Sequence, residues 1–319
     1  MNGEQKAKQI RQYYSHPGIS QSEIKRHLAT GVAKQTKETS ALSKGKVFDV
    51  LTLIPEAYKY LFVDWDKPFN LPTGKVKDIV DKFYKIEPDT KLLTDNNELL
   101  IQLIEEFEYY QNLKLPSRIH SLVVTKHGQQ YHNHLRDKGD RDLVPGSLRG
   151  TLYGPSQMLR SHLHEQVTDY LEIHPQYPVY FNYLSTQCKG LIDLLVVYAD
   201  RVEVRDVKYT ELSINDYNIE LRRRRTDIQL SYYKYAIKQQ YKDIPVHCYV
   251  DIYSKADDAC FTFKFSELDL EIARYGAERS MGTITTGGLV IPCSTRIKGW
   301  HEYFEPVTGI STELDSIWM

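Results

Sequence analysis

One stretch near the middle of the chain restricts its fold more than any other. Gly190-Leu-Ile-Asp193-Leu-Leu-Val-Val-Tyr198 and Arg201-Val-Glu-Val-Arg-Asp206-Val-Lys208-Tyr209 are β-branched and aromatic runs parted by Ala199 and Asp200. Runs of that composition favour strands, and a two-residue break favours a hairpin. In such a hairpin Tyr198 pairs with Arg201, and the register sets Asp193 opposite Asp206. Side chains alternate across a strand, so Asp206 and Lys208 share a face with Val202 and Val204, and with Leu191, Leu195 and Val197 across the ladder. Two carboxylates and an ammonium then stand at one end of an otherwise apolar face.

That arrangement is costly. Like charges directly opposite on a sheet destabilise it; at about 5 Å and an effective dielectric near 20 the repulsion is roughly 3 kcal/mol. A cation in the gap relieves it. Two carboxylates within reach of water suit a hard, oxygen-seeking ion such as Mg²⁺ or Mn²⁺. The alternative is that Lys208 bridges both acids in a buried ion-pair cluster.

Composition narrows the class of protein. The chain has 319 residues, enough for two domains or one elaborated domain. Hydrophobic residues make up 41% and charged residues 26%, which excludes wholesale disorder. The net charge of −1 advertises no polyanion partner, but the charge is unevenly spread. Residues 1–46 carry nine Lys/Arg against three Asp/Glu, and residues 47–113 carry seven against thirteen. A basic face for nucleic acid is therefore available in a chain that is neutral in sum. The longest nearly apolar stretch, Gly190–Ala199, is interrupted by Asp193 and too short for a bilayer. The first residues lack an apolar signal-peptide core. Cys188, Cys248, Cys260 and Cys293 are scattered, with no C-x-x-C pair, so neither a disulfide framework nor a zinc or iron–sulfur ligand set is expected. A reducing cytoplasm, with no membrane association, is the expected setting.

Elements follow from periodicity and caps. Ser20 and Glu23 form a capping box that starts a helix near Gln21. A second helix runs from about Ser43 to Pro55, and a third over Asn97–Leu113. Lys126–Gly154, polar and rich in His, Arg, Asp and Gly, reads as a long loop, with helix resuming over Ser156–Leu171. Strands are expected at Val179–Leu184, Leu191–Tyr198, Val202–Tyr209, His247–Tyr253 and Cys260–Phe265. A long helix over Asp216–Tyr241 lies between the third and fourth, and Ser266–Ser280 forms the last helix. This order reads as α/β or α+β. The expected organisation is a helical segment 1–64, a mostly helical insertion 65–177, a core 178–281 and a tail 282–319.

The spacing Asp193…Asp206-Val-Lys208 resembles the D…(D/E)-x-K signature of the PD-(D/E)XK nuclease superfamily. Gln229-Leu-Ser-Tyr-Tyr233 is similar to the Q-x-x-x-Y box of its RecB-like and exodeoxyribonuclease VIII-like branches. Lys44-Gly45-Lys-Val-Phe-Asp49-Val-Leu-Thr-Leu-Ile-Pro55-Glu56 resembles the G-x-x-x-H…L-x-P-E segment of exodeoxyribonuclease VIII-like phage recombination nucleases, with Asp49 where the family usually has His. Ile19-Ser-Gln-Ser22-Glu-Ile-Lys25 resembles the segment before it.

The resemblance implies a restriction-endonuclease-like core, a central mixed sheet flanked by helices, with a helical N-terminal insertion region. It implies a Mg²⁺- or Mn²⁺-dependent deoxyribonuclease in which Asp49, Asp193, Asp206 and the Val207 carbonyl hold metal and Lys208 serves the attacking water. Gln229 and Tyr233, one helical turn apart, position the site; on the residues alone both fit a tyrosine-rich packing face equally well. Asp49 likewise fits an ordinary exposed helix position. Ser22 is implied as a contact to a terminal phosphate, and Arg222 and Arg225 of the run Arg222–Arg225 as DNA contacts, against the plainer reading of a solvated helix end. An exonuclease on duplex ends is the leading expectation, with DNA, a single-strand annealing or recombination protein, and a ring-shaped homo-oligomer as implied partners.

The rival expectations are an endonuclease of the same fold and a catalytically silent nuclease-like DNA-binding module. His164-Glu165 does not continue to H-E-x-x-H, since Thr168 stands at the second ligand position. The chain has neither a phosphate-binding P-loop nor a G-x-S-x-G elbow.

Overall fold

The computed structural model describes residues 1–30, 40–65, 72–183, 186–286 and 304–306. The first half of the chain forms α1 (Gly3–Ser15), β1 (Ile19–Ser20), α2 (Gln21–Thr30), α3 (Ser40–Leu53), α4 (Tyr58–Leu61), β2 (Phe62–Trp65), α5 (Gly74–Ile86), α6 (Asn97–Glu106), α7 (Leu115–His120), α8 (Gly128–Lys138), β3 (Asp142–Pro145) and α9 (Gly146–Gln166). The second half forms β4 (Glu172–Tyr183), β5 (Thr186–Val197), β6 (Val202–Thr210), α10 (Ile214–Arg223), α11 (Thr226–Gln240), β7 (Val246–Ser254), β8 (Ala259–Phe265), α12 (Glu267–Thr286) and β9 (Phe304–Pro306). The chain divides into two compact units, residues 1–58 with the chain from 151 onward, and residues 59–150.

The first unit is built on a mixed sheet in the order β1–β5–β6–β7–β8–β9, with β4 pairing β5 as well. Strands β4 to β6 form an antiparallel meander; β7 returns parallel to β6, and β8 turns back antiparallel. The return from β6 to a parallel neighbour needs a crossover, which α10 and α11 supply. Helices cover both faces. Val204, Cys248, Val250 and Ile252 meet Ile228, Tyr232 and Ile237 of α11 in one core. On the other face Phe48 of α3 meets Tyr209 edge-on at 5.3 Å between ring centres. Arg160 of α9 donates to the carbonyls of Leu51 and Thr52 at the end of α3. The expected α/β architecture, a central mixed sheet flanked by helices, is the one observed.

That second face carries an arrangement no periodicity shows. Arg205 donates to Glu203 at 2.9 Å and to Asp251 at 2.9 Å, and all three side chains are buried. Arg201 also donates to Glu203, at 2.8 Å, so two acids meet two guanidinium groups.

Three expectations are corrected. Lys126–Gly154 is not a long loop: it contains α8, β3 and the start of α9. Tyr131, His132 and Leu135 of α8 are buried, an apolar stripe too sparse in a polar run to register as periodicity. The expected helix Asp216–Tyr241 is two helices, broken where Arg225 adopts a left-handed backbone, φ 51°. Buried Asp227 needs a cation, and Arg225 turns back to supply it at 3.1 Å. The first 64 residues also include strand, in β1 and β2. Residues 151–177 belong to the first compact unit, and the second spans 59–150.

The second unit has its own core, where Val76, Ile79, Phe83, Leu100, Leu103 and Ile104 meet. Its strands β2 and β3 pair in parallel, Phe62 opposite Asp142. Buried Arg118 donates to the carbonyls of Tyr109 and Ile104, tying the end of α6 to α7. Of the chain's described residues, none belongs to a helix long and apolar enough to cross a membrane.

Candidate metal-dependent active site

The site lies where the sheet forks. One edge of β5 carries β4 along nearly its whole length. The other edge pairs with β1 at Cys188 and Lys189 and with β6 only from Leu194 to Val197. From Asp206 onward β6 pairs with β7 alone. Between the two partners of β5 lies an opening, and Asp193 stands at its apex.

The hairpin has the expected two-residue turn, Tyr198 N–H donating to the Arg201 carbonyl at 2.9 Å. The ladder runs from Val197 opposite Val202 to Leu194 opposite Arg205, so the next pair in register is Asp193 and Asp206. There the backbone ladder ends. Oδ2 of Asp193 accepts from the Val207 N–H at 2.9 Å. On the other side the β4 ladder skips Gln176, whose backbone has φ 48° and whose Nε2 donates to Asp193 Oδ1 at 3.3 Å. Ile192 and Leu195 both enter the α11-side core, so the alternation slips by one at Asp193. Strict alternation therefore misplaces Leu191, which is half-buried while Ile192 is fully buried.

Lys208 stands between the two acids, its Nζ 2.7 Å from Asp206 Oδ2 and 4.0 Å from Asp193 Oδ2. It also donates to the Val207 carbonyl at 3.2 Å. Gln229 of α11 donates from Nε2 to Asp206 Oδ1 at 2.7 Å. Tyr233, one turn on, is buried with its ring against Gly190, where a Cβ would lie 2.8 Å from Cε1. A side chain at Gly190 would push α11, and Gln229 with it, off the fork.

Asp49 arrives from α3 and interacts electrostatically with Asp193, Lys208 and Asp206. Burial, and then Asp193, hold its carboxyl well above the ordinary range. Burial and Asp206 push Asp193 up to about 7. Burial alone works to discharge Lys208, but Asp206, Asp193 and Asp49 outweigh it and hold the ammonium. The three acids and Lys208 thus form one electrostatic unit with carboxylate in excess.

The remaining sequence-predicted residues are placed less centrally. Ser22 is exposed in the first turn of α2, and its Oγ accepts from Gln21 at 2.9 Å. Arg225 is bound to Asp227. The side chain of Arg222 lies outside the described residues.

Lys25 is a site residue to which no sequence motif assigns a role. Its Nζ donates to Gln229 Oε1 at 3.0 Å, and burial, with Lys208 next, lowers its pKa to about 8. A signal existed: Lys25 lies three residues after Ser22, on the same side of α2. What the sequence does not disclose is that α2 lies over α11.

Among the described residues no three His, Cys, Asp or Glu side chains form a ready-made metal cage. The donor chemistry nevertheless fits a hard divalent cation: oxygens only, with two carboxyl groups held above their ordinary range by burial and by one another.

No protein family's model matches the sequence. No curated protein matches it either. Among solved structures, the chain is similar to a protein of Eubacterium rectale provisionally named an exonuclease, at 12% identity and a TM-score of 0.35, covering 79% of this chain and 81% of that one. It is also similar to the protein SSO0001, at 13% identity and a TM-score of 0.27, covering 52% of this chain and 70% of that one.

Proposed function

We propose that this chain is a metal-dependent deoxyribonuclease that hydrolyses phosphodiester bonds, acting as an exonuclease on duplex ends. The observation that supports the reading is the placement of Lys208 between Asp206 and Asp193 at the opening of the sheet, with Gln229 on the far oxygen of Asp206. Two acids, an amine and an amide from two adjoining strands and a crossover helix converge at the fork, where the Lys208 side chain is partly exposed.

In this reading Asp49, Asp193, Asp206 and the Val207 carbonyl hold Mg²⁺ or Mn²⁺. When bound, the ion supplies positive charge to the phosphate and lowers the pKa of water. Lys208 orients the attacking water or neutralises the charge that develops on the phosphate. Gln229 keeps Asp206 aimed at the opening, and Tyr233 against Gly190 sets the height of α11 above the sheet. Ser22 and the arginines at the α10–α11 break serve DNA phosphates. DNA is the partner, in the cytoplasm, with a single-strand annealing protein and a ring-shaped homo-oligomer as the further assembly.

One observation favours a second reading. The absence of a three-carboxylate cage among the described residues is what a catalytically silent DNA-binding module of this fold would show. Linear duplex labelled at either end and closed circular DNA, each incubated with and without Mg²⁺, separate the readings. Mg²⁺-dependent shortening of the linear substrate alone is expected, and Asp206→Ala should abolish it in a folded protein. Cutting of circles indicates an endonuclease. DNA retention with no cleavage at any divalent concentration sinks the enzymatic reading.

A further inference from the structure

Gln229 carries one carbonyl oxygen and one amino group, and its two partners are not interchangeable. Lys25 Nζ lies 3.0 Å from Oε1, and Nε2 lies 2.7 Å from Asp206 Oδ1. An ammonium only donates hydrogen bonds, so with Lys25 in place the oxygen must face α2 and the amino group must face Asp206. A glutamine held only at one end retains rotamer freedom, and its amide can turn its oxygen toward a protonated carboxyl group. Held at both ends, it does neither.

The consequence reaches the opening of the sheet. Asp206 has two oxygens; Gln229 occupies Oδ1, while Oδ2 lies 2.7 Å from Lys208. The chain Lys25–Gln229–Asp206–Lys208 therefore begins and ends on an ammonium. Lys25 is placed where burial and Lys208 both oppose its charge. A neutral residue there would avoid that cost, and would also release the amide.

We propose that Lys25 is a positioning residue of the site, acting through Gln229 to keep Oδ1 of Asp206 occupied and Oδ2 turned to Lys208. Its effect on cleavage rests on the nuclease reading; the hydrogen-bond arrangement does not.

The test uses the full chain as wild type, Lys25→Met, Lys25→Arg, Gln229→Ala and the Lys25→Met/Gln229→Ala double variant, each checked by circular dichroism. In metal-free protein the Gln229 side-chain amide signals, assigned by their loss in Gln229→Ala, exchange slowly with solvent in wild type and Lys25→Arg. In Lys25→Met they exchange rapidly; unchanged exchange there overturns the proposal. Should Lys25→Met fail to fold, Lys25→Leu, which also lacks a donor, carries the same comparison.

The second readout is Mg²⁺-dependent cleavage of linear duplex. Lys25→Met loses about 10- to 100-fold, as removal of a ligand-orienting partner does. Lys25→Arg recovers most of the loss, and the double variant is no worse than Gln229→Ala alone. Losses that multiply mean that Lys25 acts independently of Gln229, which also overturns the proposal. If wild-type protein cleaves no DNA, the proposed function fails, and amide exchange alone decides the role of Lys25.

Discussion

The carboxylate of Asp193 accepts a hydrogen bond from the backbone N–H of Val207 at 2.9 Å, taking the place of a strand partner where the β5–β6 ladder ends. A side chain thus does the work of backbone at the fork, and the same group repels Asp206. Structure and charge make opposite demands of one residue.

Asp193→Asn separates those demands. The amide keeps an acceptor for Val207 N–H and removes the repulsion with Asp206. The expected outcome is a melting temperature in EDTA equal to or above that of wild type, together with loss of Mg²⁺-dependent cleavage. Asp193→Ala strands the buried N–H and should cost about 1–3 kcal/mol, offset in part by the relieved repulsion. Thermal unfolding of both variants, with EDTA and with Mg²⁺, checks the ordering Asn above Ala.

Stability of the metal-free protein should fall as pH rises. Folding raises Asp193 from the ordinary 3.8 to about 7, so between those values the folded state holds a proton that the unfolded state has released. The stabilisation is complete below the unfolded pKa and is lost as pH passes through about 7. Divalent ions must displace that proton, so their affinity should rise over the same interval. Denaturant unfolding at pH 5 and pH 8 in EDTA, and Mn²⁺ titration at pH 6 and pH 8, measure the two trends. Asp193→Asn should flatten the Asp193 contribution to both.

Gly190→Ala places a methyl 2.8 Å from Tyr233 Cε1 and 2.9 Å from Val179 Cγ2. Overpacking of this kind costs about 1–3 kcal/mol. Because Gln229 rides on the same helix, cleavage should fall by more than the loss of folded protein accounts for. Tyr233→Leu in the same chain should recover part of the stability, as read by denaturant midpoint.

Arg205→Met tests the opposite face. Removing the guanidinium leaves Asp251 buried without its cation and Glu203 with Arg201 alone, at a cost of about 3–5 kcal/mol. The Asp193–Asp206–Lys208 cluster does not use Arg205. Cleavage per folded molecule should therefore stay near wild type at a temperature where the variant remains folded. A specific loss of activity would show that the two faces are coupled.

Much of this molecule is legible in local pattern, and the limit of legibility has a physical cause. The strands, the Ser20–Glu23 capping box, the two-residue turn at Ala199-Asp200 and the register that brings Asp193 to Asp206 all follow from interactions within a few residues or across one ladder. Alternation fails at Asp193 itself, because Gln176 and Val207 from neighbouring strands reshape the backbone there. Helical periodicity fails at Arg225, where the demand comes from a buried acid, and in α8, whose stripe has meaning only against a core assembled from α5 and α6. Lys25 and Gln229 are 204 positions apart, and their contact exists only because α2 and α11 pack together. Short-range hydrogen bonding and side-chain alternation are written into consecutive residues. Which charge is buried beside which is settled only when distant segments share the same low-dielectric space.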